Sequence, residues 1–177
     1  MQGDQVVAAD LSSVRDAAFR DLAEQHLDRS YRLAHVILGN AADAQDATHD
    51  AFVLAWRRWP SLRDPAKFPQ WFDRILVNTC RDRLRRTTRF PTQDLSANLA
   101  AGHDPTGATL DRDVIGLALA SLSPDHRVVV VLRFYRDLAA EEIARVLGIP
   151  VGTVHSRLHY ALQRLRAALD ADRGTNR

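Results

Sequence analysis

Three aspartates at helical spacing are the first residues of this sequence whose type and arrangement could do chemistry. Asp43, Asp46 and Asp50 follow at steps of three and four, which places their carboxylates on one face of a helix. Such a group could bind a divalent cation or supply acid–base catalysis. His49 is the only nearby candidate for a mixed cluster, and it points off that face. We therefore predict no metal site and no catalytic residue, and interpret this acidic stripe as a docking face for a basic partner.

Residues 68–86 combine arginines with aromatic side chains. Arg74, Arg81 and Arg85 recur at steps of seven and four, and Asn78 lies one turn from Arg74. Arginine faces bind a phosphate backbone, and aromatic rings stack on unpaired bases. We interpret this face, the basic stripe, as a nucleic-acid contact.

The sharpest local motif spans residues 138–158. Ile143 and Leu147 share a helical face, and Gly148 can adopt the positive φ of a tight turn between helices. Val154 and Leu158 then form an apolar face on the next helix that can pack back on the first. This is the pattern of a helix-turn-helix, which favours DNA binding over a purely structural hairpin.

The other face of that second helix is rich in hydrogen-bond donors. Its N-terminal end carries free N–H groups and a partial positive charge, and side chains there can reach base edges in a major groove. A solvated helix surface is the alternative, and it explains the clustering less well. The residues that we expect to face duplex DNA are Thr153, His155, Ser156, Arg157, His159 and Tyr160.

These side chains need helices to position them, and almost every periodic segment predicts a helix. Helices are expected over residues 14–38, 42–58, 69–86, 110–120, 125–134, 139–147 and 151–169. Residues 128–131 could form a strand by propensity, but their flanking caps favour a helix. Phe72 is expected in the core, whereas for Trp71 the core and the nucleic-acid face are equally good readings.

One stretch without sustained periodicity divides the chain. Residues 91–109 contain two prolines, two glycines and several small polar residues, which predicts a flexible linker. The expected fold class is all-α, with two small helical domains joined by this linker. The first domain covers residues 14–90 and the second, with the helix-turn-helix, residues 110–170; flexible tails are expected at 1–13 and 171–177.

Composition and charge fit a folded protein with two kinds of binding surface. Of 177 residues, 46% are hydrophobic and 26% charged. Residues 1–50 carry four basic and nine acidic side chains, whereas residues 51–90 carry ten basic and three acidic ones. We find no secretory signal and no apolar run near the ~20 residues that a membrane span requires. With Cys80 as its single cysteine, the chain is expected to be cytoplasmic.

Three segments, in this order, resemble the extracytoplasmic-function (ECF) group of bacterial sigma factors, part of the sigma-70 family. Residues 43–56, beginning DAQDATHDAF, resemble the region that grips the clamp helices of the largest subunit of RNA polymerase. Residues 68–86, with RILVN, resemble the region that melts and reads the −10 promoter element. Residues 122–158, with LSP, EEIA and GTVHSRL, resemble the region that reads the −35 element.

The resemblance implies a transcription initiation factor that binds core RNA polymerase and promoter DNA. Its other expected partners are the flap of the second polymerase subunit and an anti-sigma factor, with no cofactor and no small-molecule substrate. The polymerase-binding residues would be Asp43, Asp46, Ala47, Asp50 and Phe52. The −10 residues would be Lys67, Phe68, Trp71, Arg74, Asn78, Arg81 and Arg85, with a loop over residues 61–68 that captures a flipped base.

Some residues depart from the family pattern, and other classes of protein remain alternatives. His155 stands where the family usually has Lys or Arg, which implies a weaker or pH-sensitive −35 contact. Gln45 replaces the commoner Glu, and Ala140 the usual Tyr or Ser.

A helix-turn-helix regulator that does not bind core polymerase would need a receiver or ligand-sensing domain, but residues 14–90 show no β–α alternation. A helical enzyme would need a convergent catalytic set, which we do not find.

Overall fold

The computed structural model describes residues 2–89 and 109–175, and these residues contain helices and no strand. The helices are α1 (Gln2–Leu38), α2 (Ala41–Arg58), α3 (Phe68–Arg89), α4 (Thr109–Ala120), α5 (Pro124–Val130), α6 (Ala140–Leu147) and α7 (Val151–Thr175). Short 3-10 turns at Trp59–Ser61 and Pro65–Lys67 connect α2 to α3, and a π-helical segment at Val131–Tyr135 continues α5. The all-α fold class is confirmed.

The first half is a three-helix unit that presents α3 and one face of α2. Gly39 ends α1 with a φ of 82°, a conformation that glycine adopts without strain. Asn40 then caps α2, because its side-chain oxygen accepts a hydrogen bond from the backbone N–H of Asp43 at 2.8 Å. The turn between the two helices therefore sets where the acidic stripe begins.

The second half forms around the helix-turn-helix. Ser123 caps α5. Val128 to Val131, which could have formed a strand by propensity alone, are helical and buried. Gly148 closes α6 in the left-handed conformation, with a φ of 66°, as the turn predicted from the sequence requires. Ile143 and Val154 are both fully buried across this turn, so α6 and α7 share one apolar contact.

The first and the last helix extend beyond the bounds that the sequence predicts. α1 begins at Gln2, well before residue 14, because no proline interrupts residues 2–13. α7 continues to Thr175 through the stretch expected as a C-terminal tail. The linker expected over 91–109 lies outside the described residues, apart from Thr109, which begins α4.

The two halves pack against one another through a shared apolar core. Leu76 of α3 belongs to the same buried cluster as Val128 of α5 and Leu147 of α6. Arg127 crosses the boundary: its Nε donates to the carbonyl oxygen of Leu119 at 2.8 Å, and its Nη1 to that of Ile37 at 3.2 Å. It thereby satisfies a carbonyl near the C-terminal end of α1. Helix α3 is consequently the part of the first half that packs against α5 and α6.

The reactivity of the single cysteine, Cys80, measures whether this core is folded. Burial raises the pKa of the Cys80 thiol to about 12, against the opposing effect of the Arg83 guanidinium. We expect a thiol reagent such as Ellman's reagent to leave the folded protein unmodified near pH ~8 and to react fully once the protein is denatured.

The same pKa shift predicts how stability depends on pH. The thiol ionises near its ordinary pKa in the unfolded chain but only at about 12 in the folded one. The contribution of the neutral Cys80 thiol to the free energy of unfolding is therefore intact below the unfolded pKa. It is lost as the pH rises towards 12. Rapid labelling of the native protein, at the rate of a free thiol, would contradict this account.

Candidate functional site

The acidic stripe is held by an arginine from the neighbouring helix. Arg83 of α3 places Nη1 3.4 Å from the Asp43 carboxylate and 3.3 Å from that of Asp46, and its Nη2 lies 3.9 Å from Asp50. Its Nη1 also donates to the backbone carbonyl of Asp43 at 3.1 Å. One guanidinium thus fixes three carboxylates without neutralising them all.

The carboxylates of the acidic stripe are exposed to solvent. Two other residues predicted to bind the same partner, Ala47 and Phe52, instead pack within the protein. The side chains of Asp43, Asp46 and Asp50 are 41%, 67% and 57% exposed. Asp46 and Asp50 border a groove between α1 and α2. Ala47 is fully buried, and Phe52 stacks on Phe72 with ring centroids 4.3 Å apart. Ala47 cannot touch a partner here, because it is fully buried in the core cluster; that expectation is corrected to a packing role.

The basic stripe runs along the side of α3 that faces the second half of the chain. Arg85 places Nη2 2.9 Å from both carboxylate oxygens of Asp125 in α5. The Nε of Arg81 is buried and has no partner among the described residues. Arg74 is exposed at the turn beside Gly148, and the side chain of Asn78 donates to the carbonyl oxygen of Arg74 at 2.8 Å.

The aromatic residues at the start of α3 belong mainly to the core. Phe68 is fully buried, so its expected role as a −10 contact is corrected: it cannot reach DNA in this structure. Trp71 is half-buried and packs 6.0 Å from the Phe68 ring, which favours the core for most of its surface. Lys67, by contrast, is exposed, with its ammonium 4.0 Å from the Asp64 carboxylate.

Helix α7 turns an apolar face inward and a polar face outward. Val154 and Ala161 are fully buried, and Leu158 and Leu165 continue the same stripe. On the opposite side lie four exposed residues of the set predicted to face DNA. These residues, the reading face, are His155, Ser156, His159 and Tyr160.

The other two residues predicted to face DNA, Thr153 and Arg157, already make contacts within the protein. Thr153 is half-buried beside Pro150, whose carbonyl oxygen accepts from the Thr153 backbone N–H at 3.0 Å. Arg157 directs Nη2 at the Asp125 carboxylate at 3.1 Å, and its Nη1 is buried without a described partner. Asp125 therefore contacts both the basic stripe and the second helix of the helix-turn-helix.

The sequence reasoning missed three residues that organise these surfaces. Arg83 could have been noticed as a further cation in the basic segment, although only the fold shows that it turns towards α2. Asp125 and Arg136 carry no local signal, because their partners in α3, Arg85 and Asp73, are distant in sequence. The Arg136–Asp73 pair is also largely buried, and it joins the two halves.

Other kinds of site find no support in the described parts of the chain. No group of three His, Cys, Asp or Glu side chains there could hold a metal ion. None of the helices described carries an apolar stretch long enough to cross a bilayer.

Comparison with known proteins relates both halves to transcription. The sigma-70 region 2 family matches residues 22–90, and the sigma-70 region 4 family matches residues 118–167. The ECF RNA polymerase sigma factor SigL of Mycobacterium tuberculosis is 35% identical over 159 residues, which cover 86% of this chain and 89% of that protein. The chain belongs to the ECF RNA polymerase sigma factors. The two sigma-70 matches fall on the two halves that the sequence predicts.

Further similarities extend the relationship of this ECF sigma factor. The ECF sigma factor SigE of Mycolicibacterium smegmatis is 36% identical over 153 residues, 82% of this chain, and the match spans 59% of that longer protein. A solved structure of the sigma factor RpoE of Bartonella quintana, in complex with the anti-sigma factor NepR, has a TM-score of 0.68 at 25% identity. That match covers 87% of this chain and 98% of the other.

Proposed function

We propose that this ECF sigma factor binds core RNA polymerase through the acidic stripe and promoter DNA through the basic stripe and the reading face. The acidic stripe supports the first role because its carboxylates stay exposed while Arg83 holds them in one arrangement. A pre-organised set of charges loses little conformational entropy when a basic partner surface docks on it. The partner surface inferred is the clamp helices of the largest polymerase subunit.

The basic stripe supplies the contact with the melted −10 element. Its arginines lie along one side of α3, where they can follow a phosphate backbone, and Lys67 adds a cation just before this helix. Trp71 leaves part of its ring accessible for a base. Phe68 has a supporting role, since it holds the start of α3 against the aromatic core.

The observation that carries the proposal is the reading face of α7. Its four residues point away from the buried Val154 and Ala161, on the helix that follows the tight Gly148 turn. This is the geometry in which the second helix of a helix-turn-helix enters a major groove. His155 and Tyr160 can then reach base edges or phosphates of the −35 element.

Removing charge from the acidic stripe tests the polymerase contact. We expect Asp46→Asn combined with Asp50→Asn to weaken binding to core polymerase by roughly tenfold, because each lost charge at a docking surface costs about 0.5–1 kcal/mol. Asp43 remains to pair with Arg83, so the helix packing should be retained. Binding is measured by fluorescence anisotropy of the labelled protein titrated with core enzyme.

A control variant removes one exposed carboxylate outside the acidic stripe. Asp170→Asn lies on the exposed surface of α7 and should leave the affinity for core polymerase unchanged. If the double variant binds core polymerase as tightly as the wild type, the acidic stripe is not the docking face.

We further propose a role, a compartment and two more contacts for this protein. The protein acts as a binding factor and not as an enzyme, and it works in the cytoplasm where polymerase and promoter meet. An anti-sigma factor is the second protein partner that we infer, by analogy with the complex of RpoE with NepR. The flap of the second polymerase subunit is the inferred contact of the second half.

Run-off transcription tests the function as a whole. Purified protein is mixed with sigma-free core polymerase and a library of genomic promoter fragments. Specific transcripts are expected only when both proteins are present. Failure to bind core enzyme and to yield any promoter-specific transcript would instead favour a helix-turn-helix regulator that acts without core polymerase.

A further inference from the structure

The side chain of Gln163 lies one helical turn beyond the reading face and contacts one of its residues. The amide Nε2 of Gln163 is 3.0 Å from the Nε2 of His159, four residues earlier on α7. Both side chains are exposed, on the side of the helix away from the buried Val154 and Ala161. The ring of Tyr160 packs edge-on against the His159 ring, with centroids 5.6 Å apart. His159 is therefore held by two neighbours, although it faces solvent.

The contact between Gln163 and His159 fixes which ring nitrogen carries the proton. An amide NH2 group can only donate a hydrogen bond, so the Nε2 of His159 must accept it. A neutral imidazole has a single N–H, and the nitrogen that accepts cannot carry it. The proton is therefore on Nδ1, and the polar group that His159 has left for DNA is a donor.

Ser156 has its hydrogen-bonding role set in the same way, with the opposite outcome. Its Oγ donates to the backbone carbonyl oxygen of Thr153 at 3.0 Å, because a carbonyl can only accept. The hydroxyl hydrogen is thus used within the helix, and the lone pairs of Oγ are left for a partner. The reading face consequently presents an acceptor at Ser156 and a donor at His159 before any DNA is bound.

We propose that Gln163 is a positioning residue of the reading face, which holds His159 as a hydrogen-bond donor and thereby selects the base that this side chain reads. The inference rests on the function proposed for the reading face and adds a source of its specificity. In a major groove, guanine, adenine and thymine each offer at least one acceptor atom, whereas cytosine offers only its N4 amino donor. Cytosine is therefore the base that the Nδ1–H form of His159 rejects.

Nitrogen NMR of the full-length chain, without DNA, tests the tautomer. The protonated and the unprotonated nitrogen of an imidazole resonate far apart, and the signals of His159 are identified by their loss in His159→Ala. Spectra are recorded at about pH 8, so that neutral rings dominate. The wild type should show His159 protonated on Nδ1. In Gln163→Leu nothing holds this form, and the population should shift to the Nε2–H tautomer, which an isolated histidine side chain favours in water.

Gln163→Glu reverses the polarity of the same contact. A carboxylate can only accept, so it pairs with an Nε2–H and leaves Nδ1 of His159 as an acceptor. We expect the Nε2–H tautomer to be at least as populated in this variant as in Gln163→Leu. A residue that only stabilised the helix would leave the tautomer unchanged in both variants.

Binding to duplex DNA tests whether the tautomer sets the choice of base. A duplex selected by the protein from a random-sequence library is substituted with all four bases at each position, and His159 reads the position at which His159→Ala removes the preference. There the wild type should bind the duplex with guanine facing His159 roughly five- to tenfold more tightly than that with cytosine, the effect of one hydrogen bond. Gln163→Leu should reduce this ratio to about twofold or less, and Gln163→Glu should invert it. The added charge of Glu weakens binding to every duplex, so only the ratio is compared.

The matched control is Gln25→Leu, which makes the same change at an exposed position of α1. It should alter neither the tautomer of His159 nor the preference for guanine. A proton on Nε2 in the wild type, or an unchanged tautomer in both Gln163 variants, would overturn the proposal. So would a tautomer that shifts while the ratio between the guanine and cytosine duplexes stays the same.

Failure of this inference can be told apart from failure of the proposed function. Promoter-specific transcription, with a base preference that does not respond to Gln163, would leave the sigma-factor roles standing and reject Gln163 as a positioning residue. Loss of the guanine preference in the Gln163 variants, in a protein that yields no transcript with core polymerase, would do the reverse.

Discussion

Phe68→Ala lowers the free energy of unfolding by about 3–5 kcal/mol, the cost of removing a large aromatic ring from a packed core. The ring is fully buried, and five other rings surround it with centroids 5.3–6.0 Å away. A loss of this size is a large part of the stability of an ordinary domain. Chemical denaturation followed by circular dichroism measures it.

Two further variants test whether the loss of stability arises because the Phe68 ring is buried. Phe68→Leu keeps most of the apolar volume and should recover much of the stability. Phe134→Ala truncates a ring that is 63% exposed and should change the stability by no more than about 0.5 kcal/mol. If Phe68→Ala folds with wild-type stability and loses only promoter melting, the residue contacts DNA directly and the supporting role is wrong.

Replacing Arg81 and Arg85 together by alanine separates the two binding activities. Binding to core polymerase should be unchanged, because the acidic stripe and Arg83 are untouched. Open-complex formation should fall by roughly 10- to 100-fold, since two phosphate contacts are lost, and its dependence on salt should weaken by about two counterions. Permanganate footprinting of the melted −10 region, at several salt concentrations, measures both effects.

The control for this pair removes two cations from another helix. Arg20 and Arg32 are exposed on α1, and their double alanine variant should melt the promoter like the wild type. Equal loss of polymerase binding and of open-complex formation in the Arg81, Arg85 variant would contradict the division between the two stripes.

Local features of the fold could be predicted because their causes are local. The cap at Ser123 and the left-handed Gly148 turn depend on groups within a few residues along the chain. The helical reading of Val128 to Val131 is confirmed for the same reason, since the cap and proline that precede them favour a helix.

Burial was harder to judge from spacing alone. A helical period assigns residues to faces, but it does not say which face meets another helix. Ala47 shares a short segment with the acidic stripe, yet its methyl group lies in the core. Phe68 falls at the edge of a DNA-like segment, yet the turn at Pro65–Lys67 directs its ring inward. Accessibility depends on what packs opposite, which is a property of the tertiary structure.

The sequence by itself determined the helices, their caps, the helix-turn-helix and the separation of acidic from basic surface, because each follows from contacts within a turn or two of the chain. Only the tertiary structure decided that Arg83 pairs with the acidic stripe and that Asp125 joins the basic stripe to α7. The partners in these pairs are some thirty to forty residues apart along the chain. No periodicity reports contacts at that range; packing of apolar faces creates them.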